Sequence, residues 1–321
     1  MTARPPKIAP GEKVALVLGA GGARGLAQIG VLEALDARGL QIDAIAGASS
    51  GALVGGVYAA GKLAEFRDWL LAMDRSDMLR LLDPLFGRPA LFRGDRLIGR
   101  LRELVGDPHI ESLPVDFTAV AVDLQRQREV WLREGPLWTA IRASIAIPGL
   151  FSPHPVHGRD LVDGGILAPL PIAATRLSDA HRLIAVDMHG WPQRPPGAPA
   201  DASIETPDSS TTARIADWVE RRIGFGDDGE AGAGDLDPAD GDSAGSGRGA
   251  AMRTPGLTEL LARSLDTMQA QIARVHLALD PPELVIRIPR DACLFYEFWR
   301  AKELITIGRI EADKALDAAG Y

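Results

Sequence analysis

The sequence predicts an α/β protein with a central, largely parallel sheet flanked by helices, on three observations. Lys13-Val-Ala-Leu-Val-Leu18 is a short run of branched apolar residues stopped by glycine, the pattern of a buried strand. Ile42 to Ala46 repeats that pattern. Each run opens into a glycine-rich turn and then a helical stretch. Such alternation builds parallel sheets, because each helix carries the chain back to where the next strand must start.

The elements follow in order. After the first strand comes Gly19-Ala-Gly-Gly-Ala-Arg-Gly25, then a helix whose Leu26, Ile29, Leu32, Glu33 and Leu35 form a mostly apolar face, closing near Gly39. The second turn leads into a helix from about Ser50 to Ala60. Lys62 to Gly106 is helical and amphipathic, with Phe66, Trp69, Leu70 and Met73 on one face and Pro84 and Pro89 as breaks. These read as core and cap helices. Val115 to Asp123 and Arg128 to Leu132 form a hairpin, and Leu137 to Ile147 a helix stopped by Pro148. Asp160 to Val162 and Leu183 to Met188 are strands. Leu257 to Leu279 is a strong amphipathic helix, Leu284 to Ile288 the last strand, and Glu297 to Leu316 the last helix.

Four segments result: a tail over 1–12, a core over 13–191, a linker or lid over 192–256, and a helix-strand-helix over 257–321 that completes the core. Pro, Gly, Asp, Ser and Ala dominate 192–256, the composition of a disordered linker. Within it, Ile215, Trp218, Val219 and Ile223 share a helical face, which suits a docking helix or an interfacial one.

Of 321 residues, 46% are hydrophobic, enough for one large core. The net charge is -8, and residues 201–250, with 12 acidic and 4 basic side chains, account for all of it. A nucleic-acid binder more often shows a basic face, so no nucleic-acid partner is expected. The one cysteine, Cys293, excludes an intrachain disulfide, and residues 1–7 lack the apolar stretch of a signal peptide. A cytoplasmic protein that touches membrane surfaces transiently is the expectation. Ala44 to Gly61 is free of charge, but it is mostly Gly, Ala and Ser and reads as strand-turn-helix instead of a membrane span.

The chemistry centres on Gly47-Ala-Ser49-Ser-Gly51. Gly-x-Ser-x-Gly between a strand and a helix is the spacing of a nucleophile elbow, which exposes a serine hydroxyl on a sharp turn. Alone, the pattern is weak in a chain this rich in glycine and alanine. The upstream glycine loop has two readings. A dinucleotide fingerprint fails, since Arg24 stands where its last glycine belongs and no acidic residue ends the second strand. An oxyanion hole fits: Gly21 and Gly22 let backbone N–H groups converge at a helix N-terminus. Asp163 ends a strand before Gly164 and Gly165, which makes it either an Asx-turn or a carboxylate aimed into a site. From the residues alone the base is open. His181, His189 and His276 follow in sequence, with His189 framed by Gly190 and Pro192, while His154 and His157 read as surface-loop residues. No ligand spacing for zinc or calcium is present, and no cofactor is expected.

Three ordered motifs, Gly19 to Gly25, Gly47 to Gly51 and Asp163-Gly-Gly165, resemble those of the patatin-like phospholipase family, in particular bacterial members similar to the catalytic domain of neuropathy target esterase. Ala143 to Pro153 and Arg300 to Leu304 also look familial. The likeness covers most of 13–190 and, more loosely, 257–317. Ala20 departs from it, standing where the family has its first glycine. The resemblance implies a three-layer patatin-like fold and a serine esterase acting on phospholipids or lysophospholipids. It also implies a Ser49–Asp163 dyad, with Gly21 and Gly22 as oxyanion donors and Arg24 ordering the loop. Burial should raise the Asp163 pKa toward that of a useful base. The competing reading is a catalytically weak lipid-binding or regulatory protein of the same fold.

Overall fold

The computed structural model describes residues 6–9, 11–81, 92–193 and 257–321. Beyond Gln193, the predicted linker and its helical island lie outside the described residues, as do Pro84 and Pro89. The chain divides into two compact units, Met1–Ala198 with Thr267–Tyr321, and Pro199–Asp266. Of the second, only the opening turns of a helix are described.

The first unit is built on one sheet. Five strands run parallel in the order β3 (Asp116–Asp123), β2 (Gln41–Ala48), β1 (Lys13–Leu18), β7 (Arg182–Gly190) and β8 (Leu284–Pro289). Their cores are nearly all buried, as strands covered on both faces must be. Antiparallel pairs gather at β3. β4 (Arg128–Leu132) pairs with residues 119–123 of β3, and β6 (Arg159–Asp163) with residues 121–123. β2 pairs with residues 116–120. Because β4 overlaps both of the others, it must hold one side of β3 while β2 and β6 share the other, end to end. β2 stops with Ala48 opposite Val120, and β6 stops with Asp163 opposite Ala121. Neither strand can continue, so both chains turn out of the sheet at one place.

Helices flank the sheet. α1 (Ala27–Ala37), α2 (Ser50–Ala59), α6 (Leu137–Ser144) and α8 (Ala301–Ala319) join the main core around Leu16, Ile29, Ile45, Phe117, Trp138 and Leu304. α3 (Leu63–Ala72), α4 (Arg75–Leu81) and α5 (Asp95–Val105) extend it through Phe66, Met78 and Leu101. On the other side, Val17 and Ala185 meet Leu170, Ile172 and Ala273 of α7 (Leu257–Leu279).

Three details differ from the sequence reading. A short strand, β5 (His154–Val156), pairs with β6, so His154 is a half-buried strand residue and not part of a surface loop. α6 ends at Ser144, three residues short of Ile147. Gly22–Leu26 forms a tight 3-10 turn before α1 begins at Ala27, so Leu26, read above as part of the helix, precedes it.

Candidate active site

Ser49 occupies the turn between β2 and α2, with φ 56° and ψ -125°. A non-glycine residue in the left-handed region is strained, and such strain persists only where neighbours fix it. Here the Ser49 N–H donates to Ser144 Oγ (3.0 Å), and Ser144 Oγ donates to the Val120 carbonyl (2.6 Å). The last residue of α6 therefore holds the turn to β3. Two residues on, Gly51 passes so close to β1 that a Cβ would stand 2.1 Å from the Leu18 carbonyl oxygen. The Ser49 hydroxyl makes no capping bond to α2.

Asp163 reaches the same point from β6. Its N–H donates to the Ala146 carbonyl (3.0 Å), and its Oδ1 accepts from the Gly165 N–H (2.7 Å). Oδ2 is buried without a hydrogen-bond partner. Burial pushes the carboxyl up from its ordinary 3.8 to about 7. The facing Ser49 hydroxyl and the Gly165 N–H pull the other way and do not overcome it. The hydroxyl acts on the carboxyl without a formed bond to Oδ2. Gly164 makes the approach possible, since a Cβ there would lie 2.0 Å from the Val120 oxygen.

The glycine loop forms the third side. Four of its N–H groups are committed: Gly19 to Val186 O, Ala20 to Pro169 O, Ala23 to Phe295 O and Arg24 to Gly21 O. Among the described residues, those of Gly21 and Gly22 have no such acceptor. Gly22 has φ 56°, a conformation open to glycine at little cost. Arg24 is buried, and its Nη1 donates to the Arg290 carbonyl (2.8 Å). The segment after β8 thus grips the loop twice, at Ala23 and at Arg24.

The histidines lie elsewhere. His189 is buried, but its Nδ1 faces Asp187 Oδ1 (3.5 Å), and β1 stands between β7 and β2, the strand that leads into Ser49. Burial works to raise the Asp187 carboxyl, and its bonds from His189 outweigh that and hold it below its ordinary value. His276 Nδ1 is within 2.9 Å of the Leu170 carbonyl oxygen, and His157 sits in the β5–β6 turn with φ 49°. Burial first, and then Arg142, lowers the His154 pKa. Among the described residues no group of three or more His, Cys, Asp or Glu could hold a metal ion, and no helix is long and apolar enough to cross a membrane.

Two further residues at the site have roles that the sequence reading did not assign. Ser144 lies in the Ala143–Pro153 stretch but looks like any helical serine. Gln28 is wholly buried in the apolar α1, and its Nε2 donates to the Gly19 carbonyl (2.7 Å). A buried amide amid Leu26, Ile29 and Leu32 was the available clue.

The strand ends that converge here define an α/β protein with its polar site at the carboxyl end of a parallel sheet, where open α/β sheets bind ligands. Residues 16–176 match the patatin-like phospholipase family, and the chain belongs to that family. It is 40% identical to an uncharacterised NTE family protein of Mycobacterium tuberculosis, over 95% of this chain and 92% of that one. It is 32% identical to patatin-like phospholipase domain-containing protein 6 of Homo sapiens over 57% of this chain, a match spanning 14% of that relative. VipD from Legionella pneumophila, 16% identical, superposes with a TM-score of 0.44 over 96% of this chain and 67% of that one.

Proposed function

We propose that this protein is a serine acyl hydrolase that cleaves carboxylic esters of lipids, phospholipids or lysophospholipids, through a Ser49–Asp163 dyad. Family membership implies lipid acyl hydrolase activity. The observation that carries the dyad is the buried Asp163 carboxyl, raised to about 7 and facing Ser49 with Oδ2 unengaged. A carboxylate of ordinary pKa is a weak base, whereas one near neutrality accepts a proton and returns it at comparable cost.

Asp163 takes the Ser49 proton as Oγ attacks the ester carbonyl. The tetrahedral oxyanion is met by the N–H groups of Gly21 and Gly22, supported by their lack of other acceptors. Protonated Asp163 then gives its proton to the departing alcohol, leaving an acyl-Ser49 ester. Water attacks that ester with Asp163 again as base, which releases the fatty acid and restores both residues. Arg24 and Gln28 order the glycine loop without touching substrate. No step calls for a cofactor. The lipid substrate brings the protein to membrane surfaces transiently.

The test is hydrolysis of p-nitrophenyl esters of graded chain length. Ser49→Ala and Asp163→Asn should each lower kcat by roughly 10³-fold or more. His189→Gln should keep kcat within about threefold, because its partner is Asp187. Activity surviving in Ser49→Ala removes the nucleophile. Full activity in Asp163→Asn with loss in His189→Gln replaces the dyad by a histidine base.

A further inference from the structure

Gly165 closes the turn after Asp163, and three groups crowd it. A Cβ there would lie 2.8 Å from Ala20 Cβ, 2.8 Å from Gln269 Nε2 and 2.9 Å from Asp163 Oδ1. One point is thus within 3 Å of the glycine loop, the proposed base and a side-chain amide carried by α7. Gln269 is half-buried, and no hydrogen bond among the described residues engages its amide. The helix holds it there. Ala270 and Ala273 are buried, Ala273 packs on Leu170 and Ile172, and His276 meets the Leu170 carbonyl. Gln269 is therefore set beside Asp163 by packing, with its amide left to bond something else.

The chemistry of ester cleavage says what that is. The carbonyl oxygen must face Gly21 and Gly22, and the leaving oxygen must face the acid that protonates it. The alcohol half of the ester then lies on the Asp163 side, where Gln269 stands. A glutamine amide is neutral and both donates and accepts, so it matches a hydroxyl-bearing alcohol better than an apolar one. We propose that Gln269 is a specificity-determining residue that contacts the alcohol half of the substrate and favours alcohols with a free hydroxyl. This rests on the Ser49–Asp163 reading, and the experiment separates the two.

Wild type and Gln269→Leu are compared on two esters of one acyl chain, 1-decanoylglycerol and p-nitrophenyl decanoate. Losing one hydrogen bond should lower kcat/KM on the glycerol ester about 10-fold and leave the p-nitrophenyl ester within about twofold. An equal loss on both esters, or none on either, overturns the proposal. A second variant, Gln269→Glu, sets a like charge beside Asp163 and should move the rising limb of the p-nitrophenyl pH-rate profile upward by about half a unit or more. An unmoved limb in that variant takes Gln269 away from the carboxyl. Activity retained in Ser49→Ala would instead show that the dyad has failed, whatever Gln269 does.

Discussion

If Asp163 is the base proposed above, catalysis and stability make opposite demands on it. Its carboxyl is raised from 3.8 to about 7, chiefly by burial. Two consequences follow from that one displacement. As a base it must be ionised, so kcat/KM for p-nitrophenyl esters should rise tenfold per pH unit below about 7 and level off above it. A profile flat from pH 5 to 9 would contradict the assignment. For stability the sign reverses. Between pH 3.8 and about 7 the folded chain keeps a proton that the unfolded chain has lost, so stability falls as pH rises through that window. Asp163→Asn keeps the acceptor for the Gly165 N–H and removes the buried charge. It should unfold at higher denaturant than wild type at pH 8, by up to about 4 kcal/mol, and equally at pH 4. A variant less stable than wild type at pH 8 would mean that the charge is better solvated than its burial implies.

At the scale of elements, the site is a collision of two strand ends. β2 and β6 meet on one side of β3, and α6 supplies the side chain that fastens β2's exit. Ser144→Ala removes the acceptor for the Ser49 N–H and the donor to Val120 O, all in a buried place. Leaving such groups unsatisfied costs about 1–3 kcal/mol. Because φ at Ser49 is then less firmly held, kcat should drop by roughly tenfold with KM nearly unchanged. Ser144→Thr, which keeps the hydroxyl, should recover part of that loss; failure to do so would point to simple disruption of α6. Much of this layout was legible in the sequence. The strand-turn-helix units around Gly19–Gly25 and Ser49 declared themselves by apolar runs and glycines, and Asp163 by the two glycines after it. The meeting of β2 and β6 was not legible. It depends on the register of segments more than 100 residues apart, which no local pattern encodes. β5 was hidden because His154-Pro-Val is three residues long with proline at its centre, and reads as a turn. Ser144 and Gln28 were hidden for another reason: a polar residue in a helix announces its partner only when the partner's position is known.

Across the whole molecule, the residues after β8 brace the glycine loop and α1. α8 lies against α1 at a distance that two glycines set. A Cβ on Gly308 would stand 1.8 Å from the Ala27 oxygen, and one on Gly30 2.0 Å from the Ile305 oxygen. The helices touch backbone to backbone, one turn beyond the glycine loop. The same C-terminal stretch accepts hydrogen bonds from Ala23 and Arg24 through Phe295 and Arg290. Separating α8 from α1 should therefore act on stability first and on the loop second. Gly308→Val forces the helices apart in a packed core, where overpacking costs about 1–3 kcal/mol or more. The expected result is a clear fall in Tm, with kcat of the fraction that remains folded lowered only a few-fold and the pH-rate limb still near 7. The pH-rate limb is the decisive readout. If it moves with Gly308→Val, the C-terminal helix governs the burial of Asp163 itself, and the molecule is one cooperative unit from α8 to the carboxyl. If Tm and kcat fall while the limb stays in place, α8 is a clasp on the glycine loop, and the meeting of β2 and β6 sets the carboxyl on its own.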